Sequence, residues 1–264
     1  MTDNPYTLPG LDPATDYEFY VVANCTATET SDPSSVYYFS TECEPFTVTA
    51  TNKYTQNFES PVVTSTYNST TGLKVPNCWD NYTDNTSTVY AIPHIIKSDA
   101  GTSGYNYSNP ASQVLYLYGS GNGYAALPEF TNAINELQIS FKYATEGSTQ
   151  GTLTLGYITA EDNGKYNTFT AIAGARYTPN TNCYQKMYEV GPAELSSVPA
   201  TATRLVFRWY YDSWYGCNVD DVVVELIPSC KVPTGLACTD YTATTATFDW
   251  TGNGDNQPAW QLYI

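Results

Sequence analysis

Short segments in which apolar and polar residues alternate at period two recur along this chain, and no long segment carries the 3.6-residue period of a helix. Near the N-terminus, Tyr17, Phe19, Val21, Ala23 and Cys25 alternate with Glu18, Tyr20, Val22 and Asn24. The same spacing recurs at Leu205, Phe207 and Trp209. Between residues 44 and 228 the pattern predicts strands over 114–118, 124–127, 137–144, 152–159, 168–173, 186–190, 204–211 and 219–226, punctuated by Gly, Asn and Pro. Strands this numerous, without intervening helices, must pack sheet on sheet, so an all-β sandwich of jelly-roll type is expected.

Charge narrows the classes of partner. Acidic residues number 26 against 10 Lys and Arg, a net charge of −16, and the few cations are scattered. A nucleic-acid footprint needs clustered cations, and an anionic membrane surface repels such a chain. No stretch is long and apolar enough to span a bilayer. Charged residues make up only 14% of the chain, so surface polarity falls to Asn, Thr, Ser and the 25 tyrosines. That balance fits a secreted or cell-surface β-protein. Residues 1–9 lack the basic start and apolar run of a signal peptide, and the chain stops inside the strand-like run 260–264. The expectation is a window on a longer extracellular protein.

Cys25, Cys43, Cys78, Cys183, Cys217, Cys230 and Cys238 form no C-x-x-C pair, and His94 is the sole histidine, so disulfides are a better reading than zinc. Cys43 and Cys230 flank the central region and are expected to bridge if its ends meet. Pairing among Cys78, Cys183 and Cys217 stays open. Cys25 and Cys238 are expected to pair beyond this window.

Leu8, Leu11, Pro13, Thr15 and Tyr17, followed by a strand and Phe39-x-Thr41, resemble the last two strands of a fibronectin type III domain with its tyrosine corner. Cys230-x-x-Pro233-x-x-Leu236, then Ala246, Phe248 and Trp250 on one face, a turn and a third strand from Trp260, resemble the first strands of another such domain. Residues 1–43 and 229–264 are therefore read as partial fibronectin type III domains around a central domain, 44–228.

That central domain carries four landmarks in order. They are Tyr54-x-x-x-Phe58-Glu59-Ser60; Pro76-x-Cys78-Trp79; Ala126-Leu127-Pro128-Glu129-Phe130 with Leu137-x-x-Ser140-Phe141; and Val219-Asp220-Asp221-Val222-x-Val224. Together they resemble the cleaved-adhesin family, MAM-like jelly rolls of bacterial surface haemagglutinins and gingipain-type proteases. The resemblance implies a non-catalytic extracellular module that binds host protein or glycan, with the neighbouring domains of the same chain as further partners. An accessory module of a secreted peptidase or glycoside hydrolase, its catalytic domain elsewhere, is the alternative.

The resemblance also implies a structural Ca²⁺ held by Glu59 and Asp221, with Asp220 as the alternate. Calcium needs six to eight oxygens, so carbonyls must join; solvated acids or strand-end caps give the same residues. Asp220 and Asp221 cannot act as a glycosidase pair, because adjacent strand residues face opposite ways. In the run 211–215, Trp214 and Tyr215 are the candidate ligand-binding aromatics; local packing between strands is the other reading. Trp79 and Trp209 are expected in the core. No Gly-x-Ser-x-Gly elbow accompanies His94, which reads as a structural histidine. Gly119-x-Gly121-x-Gly123 reads as a hairpin turn, with no helix to make a phosphate loop.

Overall fold

The computed structural model describes residues 5–62, 74–85, 91–97, 112–119, 121–159, 166–211, 215–252 and 259–263. The chain divides into two compact units, Met1–Glu225 and Leu226–Ile264.

The first unit opens with an antiparallel pair, β1 (Asp16–Phe19) and β2 (Tyr37–Ser40). Ahead of it, Asp12 N–H donates to the Tyr17 hydroxyl at 2.8 Å, the back-bond of a tyrosine corner. Thr41 Oγ1 donates to Asp12 O at 2.6 Å and accepts from Thr15 N–H, closing the corner from the other strand. Beyond Phe19 regular pairing gives way. Ser34 and Ser31 hydroxyls accept the amides of Val21 and Ala23, taking the place of ladder carbonyls.

Eleven further strands build the sandwich: β3 (Tyr54–Gln56), β4 (Asp80–Thr83), β5 (His94–Lys97), β6 (Gln113–Leu117), β7 (Gly121–Ala126), β8 (Leu137–Thr145), β9 (Thr152–Ile158), β10 (Thr170–Tyr177), β11 (Tyr188–Glu194), β12 (Arg204–Tyr211) and β13 (Cys217–Leu226). One sheet runs β10-β9-β12-β7-β4; the other runs β11-β8-β13-β6-β5, with β3 also on β13. The order follows from one operation. Folding the chain back at the β9–β10 link pairs β9 with β10, β8 with β11, β7 with β12 and β6 with β13. Alternate pairs fall in opposite sheets, which is the wrapped hairpin of a jelly roll. Each of these eight strands overlaps a segment that the pattern marks, but β7 starts three residues earlier and β10 and β11 each run four residues further than predicted.

The core lies between the sheets. Phe141 of β8 meets Phe207 of β12 edge to face at 4.9 Å, and Leu115, Leu117, Leu153, Leu155, Leu205, Trp209 and Val219 are fully buried around them. Trp79 and Trp209 are both buried, as expected. Outer faces are covered too. Tyr124, Ala126, Ile158, Val206 and Tyr166 cluster against Tyr82 and Phe169 on one sheet, and Tyr116 and Tyr118 pack with Ile96, Val114 and Met187 on the other.

Two expectations are corrected. Cys43 does not bridge Cys230: its partner is Cys78, with Cα atoms 5.6 Å apart, and Cys230 is an exposed free thiol. The turn at Pro76–Trp79 (Trp79 N–H to Pro76 O, 3.0 Å) presents Cys78 at φ +66°, and the buried Arg204 guanidinium holds Cys78 O at 2.9 Å. Local turn geometry therefore sets the pairing. Gly119-x-Gly121-x-Gly123 is also no hairpin turn, because β6 and β7, the strands on either side, belong to different sheets.

In the second unit β14 (Thr234–Tyr241) pairs antiparallel with β15 (Ala246–Thr251). Trp250 packs edge to face on Trp260 at 5.8 Å, and residues 259–263 form no strand. Leu236 and Phe248 stay exposed.

Candidate binding site

Of the acidic residues singled out in the sequence, Glu59 lies against the start of β6, and Asp220 and Asp221 lie within β13. Glu59 follows Phe58, which is buried at φ +57°. Its Oε1 accepts the Gln113 amide at 2.9 Å. The Gln113 side chain is buried and its Nε2 donates to Phe58 O at 2.7 Å and Pro61 O at 3.1 Å. Two carbonyls, a side-chain amide and a carboxylate thus converge, all hard oxygen chemistry apart from the amide nitrogen.

Asp220 and Asp221 part company. Asp221 sits at φ +48°, a break in β13 that leaves its carboxylate exposed and 2.8 Å from Lys142 Nζ. That ion pair raises the Lys142 pKa. Asp220 is only 4% exposed, and its Oδ1 accepts the Asp221 amide at 2.8 Å. One carboxylate is thus buried and the other exposed. Among the described residues no three His, Cys, Asp or Glu side chains gather into a metal-holding group.

Tyr215 leads into β13 and is 43% exposed; Trp214 lies outside the described residues. The Tyr215 backbone is fixed from two sides. Trp209 Nε1 donates to its carbonyl at 2.9 Å, and the next amide, Gly216 N–H, donates to Glu146 Oε2 at 2.5 Å. Its ring lies over Gly147, where a Cβ would come within 3.2 Å.

Glu146, which the sequence reading missed, is the anchor of this arrangement. Its other oxygen accepts the Tyr116 hydroxyl at 2.8 Å. Both bonds favour the carboxylate, yet burial outweighs them and pushes its pKa up to about 7. Cys183 and Cys217 are buried free thiols, and burial also pushes the Cys217 pKa well up. Glu146 follows Thr145 at the end of an alternating strand, and no motif in the sequence distinguishes it from a surface acid.

His94 is buried on β5 against Tyr116, and Ile92 O lies 2.8 Å from its Nδ1; burial pushes its pKa down. It is a structural residue, as its sequence context indicates.

No family model and no curated protein matches the chain. Solved structures do. The K2 cleaved adhesin domain of Lys-gingipain is 17% identical over 66% of this chain and 100% of its own, with a TM-score of 0.46. The K1 cleaved adhesin domain of Lys-gingipain from Porphyromonas gingivalis W83 is 13% identical over 67% and 99%, at 0.43. TmCBM61, solved with β-1,4-galactotriose, is 10% identical over 56% and 88%, at 0.35.

Proposed function

We propose that this chain is a non-catalytic extracellular binding module for a host protein or a carbohydrate. The observation that carries the reading is Tyr215: an exposed aromatic ring whose backbone is locked by Trp209 and, through Gly216, by Glu146. An aromatic displayed by a rigid sandwich loses little entropy on contact and offers a large amphipathic face. Extracellular placement is supported by the Cys43–Cys78 disulfide, which persists only where thiols are oxidised. No helix among the described residues is long and apolar enough to cross a membrane.

A structural calcium belongs to the same proposal. The residues that would hold it are Glu59 and, since Lys142 engages Asp221, the alternate Asp220 on β13; the carbonyls of Phe58 and Pro61 already accept the Gln113 side-chain amide. Bound there, the cation would tie the segment after β3 to the β6–β13 pair.

Arrays of neutral and charged glycans and of extracellular host proteins, probed with the whole chain, test the function. Saturable binding that weakens in Tyr215→Ala supports it; a chain that binds no probe is a structural spacer instead.

A further inference from the structure

The sandwich has a second feature suited to a ligand. β10 and β11 are the terminal strands of their respective sheets. Between and around them opens a cleft of about 390 Å³, lined by Tyr143, Tyr177, Tyr188, Arg176, Glu189 and Asn180 among others. Three tyrosines climb from core to surface along it. Tyr143 is buried, with Tyr177 at 5.6 Å and Tyr188 edge-on at 6.0 Å, and Tyr188 is 42% exposed. Tyr177 is also braced edge to face on Phe141 at 5.4 Å. These contacts fix the ring positions before any ligand arrives.

Polar groups surround the rings. Arg176, Glu189 and Asn180 are exposed, and Asn180 is held by the Asn182 amide at 2.8 Å. Arg176 and Glu189 enter neither ion pair found among the described residues, Lys53–Glu225 and Lys142–Asp221. Both edge strands break register here, β10 between Ala171 and Arg176 and β11 between Val190 and Ala193. Such bulges re-aim side chains and end regular pairing.

The chemistry selects the occupant. With Pro192 and a bulge in β11, the edge is a poor template for an added strand. The volume of about 390 Å³ falls at the small-ligand end of the pocket range. One cation and one anion in the lining cancel, so no net charge selects an anionic ligand. A pyranose ring has an apolar C–H face for tyrosine and hydroxyls for planar groups that donate or accept in pairs. We propose that this cleft binds a neutral oligosaccharide, with Tyr177 and Tyr188 stacking on the sugar and Asn180, at the rim beside Thr178, taking its hydroxyls. Arg176 and Glu189 alternate away from the rings along β10 and β11, Glu189 lying across from Lys142. The inference rests on the binding-module reading and gives it a ligand class and a second location.

Titration calorimetry of the whole chain with neutral gluco-, galacto-, xylo- and manno-oligosaccharides tests it. Tyr188→Ala and Asn180→Ala, both exposed positions, are expected to weaken binding about tenfold or more with melting temperature unchanged, while Tyr38→Ala, on the exposed β2 strand, changes it less than about twofold. If the cleft variants bind like the parent and Tyr215→Ala loses the sugar, the cleft is overturned and the binding module stands. If no oligosaccharide binds but a protein does, the cleft is again overturned. If nothing binds, both readings fall.

Discussion

Glu146 concentrates the residue-scale physics. Its folded pKa of about 7 lies above the ordinary 4.5, so the folded state holds a proton that the unfolded chain has released. The stability this contributes is complete below about pH 4.5 and is lost as pH rises through 7. His94, pushed down from 6.5, acts in the opposite sense up to that pH, because the unfolded chain binds its proton first. The readout is therefore the difference between parent and Glu146→Gln in melts from pH 4 to 8: the gap should shift in favour of the variant as pH rises. A pH-independent gap contradicts the assignment. Gly151 gives a second prediction. It sits at φ +90°, and a Cβ there would strike the indole of Trp209. Gly151→Ala should cost about 2–4 kcal/mol, from backbone strain and overpacking together. Since Trp209 Nε1 holds Tyr215 O, ligand affinity should fall in that variant as well.

At the scale of elements, the disulfide and the strand pairings carry the argument. The Cys43–Cys78 bond closes 35 residues of sequence separation and spans β3. Constraint of the unfolded chain over such a loop is worth about 4 kcal/mol. The Cys43→Ser/Cys78→Ser double variant should melt about 10 °C lower, measured by calorimetry, and the parent should drop equally under reductant. An unchanged melt would mean that the bond is not formed. Legibility differed sharply between elements. Strands such as Leu137–Thr145 carry their alternation openly, because one face meets the core. By contrast, His94–Lys97 is buried on both faces over its first three residues, and Asp80–Thr83 is polar yet half-buried, so neither shows a period. The Cys43–Cys78 pairing escaped the sequence because a turn conformation at Cys78 decides it. The tyrosine corner was readable, since Tyr17 and Asp12 lie five residues apart and need no distant contact.

The whole molecule is strongly anionic, and this bears on calcium. With a net charge of −16, a cation held by the proposed Glu59 and Asp220 would neutralise part of this charge as well as join strands. Calorimetric melts with Ca²⁺ and with EGTA should separate by several degrees, and Glu59→Ala should remove the separation. Identical melts would exclude a structural cation. Of the aromatic run 211–215 the sequence pointed to Tyr215, which is exposed. The β10–β11 cleft was hidden, because its tyrosines come from three strands remote in sequence, at 143, 177 and 188. What ties these scales together is a stiff sandwich that presents rings at fixed places. Titration calorimetry of an array-selected ligand into the parent and into Tyr215→Ala and Tyr188→Ala chains of equal melting temperature is the most direct test. The account predicts saturable binding by the parent that is weakened about tenfold in one of the two variants. Equal affinity in all three chains, or no binding by the parent, contradicts it.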